Sequence, residues 1–98
     1  MNKQIRAVLQ NEFEYLKENF NVTRLALFGS VSKGTEDQQS DVDLYVEFSK
    51  MSGLRFIKMV DYLEKKLGRK CDVLTKDGLS TIRIPSVAKN IVESLIDV

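Results

Sequence analysis

The sequence predicts a small α/β domain in which a three-stranded sheet rests on helices. Apolar residues recur at the helical period in three stretches, a fourth stretch is almost wholly apolar and stops at a glycine, and a fifth alternates strictly. With 98 residues, 43% of them hydrophobic and 30% charged, residues 1–98 suit one domain with a single core.

Taken in order, Ile5, Val8, Leu9, Phe13, Leu16 and Phe20 form one stripe, with Glu12, Glu14, Lys17 and Glu18 on the opposite face, which predicts a helix over 3–19. Asn21 breaks the pattern. The run from Arg24 to Phe28 suits a strand buried on both faces, and the chain turns at Gly29-Ser30. Residues 31–39 are small and polar, as in a loop or a short helix followed by a loop. Residues 41–48 predict a strand with Val42, Leu44, Val46 and Phe48 towards the core and Asp41, Asp43, Tyr45 and Glu47 on an open face. Turn and capping residues at 49–53 lead into a helix over about 54–67, carried by Phe56, Met59, Val60, Leu63 and Leu67 and closed by Gly68. Residues 70–74 read as the third strand and Asp77-Gly78 as a turn. Pro85 then opens a final helix whose stripe is Val87, Ala88, Ile91, Val92, Leu95 and Ile96. That apolar face is broad enough to dock on another chain, so a homo- or hetero-oligomer is expected.

Composition excludes much chemistry. Fifteen basic against fourteen acidic residues leave a net charge of +1, too little for bulk attraction to nucleic acid or an anionic membrane. No run approaches the roughly 20 apolar residues of a membrane helix, and the start of the chain lacks a signal-peptide pattern. The expected location is the cytoplasm. There is no histidine and only one cysteine, Cys71, so histidine-based triads, imidazole bases, His/Cys zinc sites and internal disulfides are all ruled out. Carboxylates, lysines, hydroxyls and backbone amides remain.

Asp41 and Asp43 stand two apart on a strand and project from one face; Asp72, on the third strand, is a candidate neighbour. Three carboxylates close together repel one another unless a cation neutralises them, and oxygen-only ligands select a hard ion such as Mg²⁺ or Mn²⁺. Gly29 permits a tight turn where amides and the Ser30 hydroxyl can bind phosphate oxygens, with Lys33-Gly34 close behind. Metal and phosphate sites side by side are what nucleotidyl or phosphoryl transfer requires. Each residue alone also has a plain reading: Gly29-Ser30 as a turn, Asp41 as a strand start, Asp43 and Asp72 as solvated strand residues, Lys33 as a solvated lysine, Cys71 as a small apolar side chain.

Gly29-Ser30, Gly34 and Ser40-Asp41-Val42-Asp43-Leu44 together resemble the signature of the DNA polymerase beta-like nucleotidyltransferase superfamily. The early Gly-Ser and the later Lys70-Cys71-Asp72-Val73-Leu74-Thr75 are similar to the minimal nucleotidyltransferases, antitoxins paired with a HEPN-domain toxin; the resemblance spans about residues 20 to 97. It implies that fold, with a small mixed sheet. It further implies that Asp41 and Asp43 hold the metals, that Asp72 helps activate an acceptor hydroxyl, and that Gly29 and Ser30 contact the triphosphate. Many relatives carry arginines just after the Gly-Ser pair. Val31, Ser32 and Lys33 stand here, leaving Lys33 as the cation.

The expected activity is transfer of AMP from ATP to an acceptor hydroxyl, and the resemblance implies a tyrosine of a HEPN toxin. Two alternatives stand beside it: an antitoxin that neutralises its partner by binding alone, and the catalytic half of a two-component transferase for small molecules.

Overall fold

The structure is a computed structural model that describes residues 3–29 and 41–98. The expected loop over 31–39 lies outside the described residues, as do Ser30 and Lys33.

Helix α1 (Lys3–Phe20) buries Ile5, Leu9, Leu16 and Phe20 along one stripe. It ends where Asn21 takes a left-handed conformation (φ 56°), which asparagine tolerates better than most residues. Asn21 also accepts a hydrogen bond from the Ser49 amide at 3.0 Å, tying the entry of β1 (Val22–Phe28) to the exit of β2 (Val42–Phe48). Helix α2 (Gly53–Leu67) starts at Ser52, whose hydroxyl accepts from the Arg55 amide, and stops at left-handed Gly68 (φ 67°). Strand β3 (Cys71–Thr75) follows, then a short helix α3 (Lys76–Ser80), helix α4 (Pro85–Ser94) and strand β4 (Ile96–Asp97). Pro85 sits in the first turn of α4, as expected.

The sheet has the order β3-β2-β1-β4, with β2 and β3 parallel and the other pairs antiparallel. The mixed α/β architecture agrees with expectation; the strand count is four rather than three. The final helix does not continue through Leu95 and Ile96. It stops at Ser94, Leu95 is extended, and Ile96–Asp97 pairs with Leu27 and Ala26, while the Val98 amide donates to the Leu25 carbonyl at 3.0 Å. An open edge on β1 would leave its backbone groups unpaired, and this segment satisfies them. The residues read as a turn at Asp77-Gly78 lie in α3, whose first turn is capped by the Thr75 hydroxyl accepting from the Gly78 amide at 3.0 Å.

Leu25, Leu27, Val42, Leu44 and Val46 form the inner face of the sheet and join Leu9 and Leu16 of α1 and Met59 and Leu63 of α2 in one core. The outer face of β2 is less open than strict alternation implies. Tyr45 is only 3% exposed, since Ala26 stands beside it, the Arg24 guanidinium lies over its ring and its hydroxyl donates to Glu47 at 2.9 Å.

Candidate active site

What Asp43 meets is determined by the two strands that flank β2. Antiparallel pairing sets Phe28 opposite it, so Gly29 follows directly against the carboxylate. A Cβ at Gly29 would stand 2.2 Å from Asp43 Oδ2 and 3.2 Å from Cγ, and Gly29 has φ +71°. Both the contact and the backbone angle call for glycine. On the other side, parallel pairing sets Asp72 opposite Asp43. Residues paired in a ladder share a face, so these two carboxylates are neighbours on the outer face, away from Val42 and Leu44. Asp41 lies just before β2, exposed, two residues from Asp43 and on its side of the chain.

Asp43 is half-buried, and burial is the main cause that raises its carboxyl above the usual range; the negative charges of Asp72 and then Asp41 raise it further. Asp43 therefore feels both other aspartates: spacing along the strand had placed Asp41 on its face, and the pairing of β2 with β3 adds Asp72. Among the described residues, however, no three acidic or thiol side chains are gathered closely enough to hold an ion as they stand. The donor set itself fits a hard divalent cation: it is all oxygen and carries like charge, and the missing Cβ at Gly29 is what lets the Asp43 carboxylate lie where it does. Asp41, Asp43 and Asp72 are the side chains that could hold such an ion.

Cys71, between the chemistry-bearing residues, packs against the core as expected. Its thiol is pushed up to about 12, chiefly by burial and then by Glu64 and Asp41, so it stays protonated and is no nucleophile at neutral pH. Two features escaped sequence reasoning. One is the direct approach of Gly29 to Asp43, which the abrupt end of an apolar strand at a glycine only hinted at. The other is the buried Tyr45 one row below the aspartates, signalled by an aromatic on a face that otherwise carries charge.

Residues 10–98 match the family described as nucleotidyltransferase domain. The chain belongs to this family. Among relatives of this nucleotidyltransferase is the Methanocaldococcus jannaschii protein named "Putative protein adenylyltransferase MJ1379", 38% identical over 96 residues that cover 95% of this chain and 93% of that one. Another is "Protein adenylyltransferase MntA" of Thermococcus cleftensis, 32% identical over 95 residues, with 96% and 92% covered. A solved structure described as a toxin-antitoxin with AMP-PNP shares the fold with a TM-score of 0.68 at 20% identity, covering 90% of this nucleotidyltransferase and 69% of that chain. The resemblance drawn from Gly29-Ser30 and Asp41-Val42-Asp43 is thus to the right family, and the nucleotidyltransferase fold is the one expected.

Proposed function

We propose that this nucleotidyltransferase is a metal-dependent protein adenylyltransferase of the cytoplasm, moving AMP from ATP onto a tyrosine of a HEPN-domain toxin and so acting as its antitoxin. The names of the two relatives support the adenylyl group and a protein acceptor, and the shared fold of the toxin-antitoxin structure supports the partner class. The observation that carries the reading is Asp43 held between Gly29 and Asp72.

In this reading Asp41, Asp43 and Asp72 hold Mg²⁺ or Mn²⁺, which when bound neutralises charge on the transferring phosphoryl group. Gly29, having no side chain, lets the Asp43 carboxylate lie against the backbone, and the Gly29 and Ser30 amides, the Ser30 hydroxyl and Lys33 hold the triphosphate. The tyrosine oxygen forms a bond to the α-phosphorus as the bond from that phosphorus to the bridging oxygen breaks. Pyrophosphate leaves, and the hydroxyl proton passes to Asp72. Asp72 is suited to this role because it is exposed while its neighbour Asp43 is not.

The test is incubation with α-labelled ATP, Mg²⁺ and the HEPN protein. Label is expected on the partner, reduced by about a hundredfold or more by Asp43→Ala, as loss of several kcal/mol of charge stabilisation requires. A partner that stays unlabelled, or is labelled equally by the variant, overturns the reading.

A further inference from the structure

Strand order gives the site two sides. Gly29 ends β1 on one flank of Asp43; Asp72 stands on β3, the edge strand, on the other. In the proposed reaction the triphosphate lies at Gly29 and Asp72 takes the acceptor's proton, which puts the acceptor on the β3 side of Asp43.

Lys70 precedes β3, and its carbonyl accepts a hydrogen bond from the Val42 amide at 2.9 Å, which carries the β2–β3 ladder one step beyond the strand. Since Val42 pairs with Cys71 and Asp43 with Asp72, Lys70 falls opposite Asp41. Alternation puts it in the row of Asp72, about 6.6 Å along the chain from that residue and within the reach of a lysine side chain. Lys70 is exposed and makes no ion pair among the described residues. Lys76 stands at the opposite end of β3, one step past its last residue, and Arg69 precedes Cys71 in the inward-facing row.

We infer that Lys70 is the acceptor-side cation of the transfer reaction, its ammonium lying beside the acceptor oxygen as that oxygen loses its proton. The inference rests on the proposed function. Three nearby carboxylates oppose the growth of negative charge on an incoming hydroxyl, and a fixed positive charge in the same row offsets them. The hydroxyl proton goes to Asp72, and the electron pair left on oxygen forms the bond to phosphorus as the bond to the departing pyrophosphate breaks.

Lys70→Met and Lys70→Arg, made in the full chain, separate this role from others. Transfer to the HEPN protein is followed against pH, and Mg²⁺-ATP affinity is measured by calorimetry. Lys70→Met is expected to lower kcat/KM for the acceptor about tenfold at neutral pH and to move the rising limb of the profile up by about one unit, with ATP affinity within about twofold of the parent and Lys70→Arg restoring both. A profile unchanged in Lys70→Met, or a tenfold loss of ATP affinity, overturns the inference while leaving the adenylyl transfer in place. If the unsubstituted protein transfers nothing, the functional reading falls and this inference with it.

Discussion

A methyl group added at Gly29 would need the space that Asp43 Oδ2 occupies, 2.2 Å away, and would also put an alanine at φ +71°. Gly29→Ala is therefore expected to displace the Asp43 carboxylate. It should cost about 1 kcal/mol of stability from the left-handed backbone alone, and about a hundredfold in transfer rate from misplacement at the reacting centre. A thermal melt together with the labelling assay checks both. The same position shows how far single residues were legible. The Asp41-Val42-Asp43 pattern on an alternating strand and the glycine at the end of an apolar run could be read directly, because side-chain direction in a strand has a period of two. That the glycine faces the second aspartate could not, because it depends on the antiparallel pairing of Phe28 with Asp43. Tyr45 was assigned to an open face for the same reason: nothing nearby in the chain announces Arg24 and Ala26 as its cover.

Among the elements, β4 is the one held most visibly by charge. Arg24 donates to Asp97 Oδ1 at 2.7 Å and to Oδ2 at 3.3 Å, and Arg6 donates to the Asp97 carbonyl at 3.2 Å. The hydrogen bond from Arg24 is the main reason the Asp97 carboxyl lies below the usual range. A carboxyl with a lowered folded pKa stabilises the protein above its ordinary value of about 3.9 and loses that contribution as pH falls through the folded value. The Asp97 side chain is 62% exposed, so solvent screens the pair. Asp97→Asn is expected to cost about 0.5 kcal/mol at neutral pH, a difference that shrinks as pH falls through the carboxyl's lowered range; urea melts at neutral and at acidic pH measure it. Helices α1 and α2 and the start of α4 were readable from their stripes and end residues, with α2 ending at Gly68 as expected, whereas α3 was read as a turn. The end of α4 was not. Leu95 and Ile96 continue its apolar period, and only the unpaired edge of β1 draws them out of the helix into a strand.

For the molecule as a whole, β2 is both the middle of the core and the carrier of the site. Val42, Leu44 and Val46 are fully buried on one face while Asp43 looks out on the other. Loosening the core must therefore reach the aspartates. Leu63, fully buried on α2, is packed into that core. Leu63→Ala is expected to remove about 2–5 kcal/mol of a total of about 5–15, seen as a lower midpoint in chemical denaturation, with activity lost at temperatures where the parent still works. Composition alone excluded imidazole chemistry, and periodicity and capping came from neighbours in the chain, since amphipathic period and turn chemistry are local. They were enough for α1, α2, the start of α4, the strand cores and the pair Asp41 and Asp43. Folding in three dimensions settled the rest: Asp72 beside Asp43, the fourth strand on the edge of β1, and the cover over Tyr45. Strand partners satisfy backbone hydrogen bonds across any separation, so the order of residues along one segment leaves its neighbour unspecified until the whole sheet assembles.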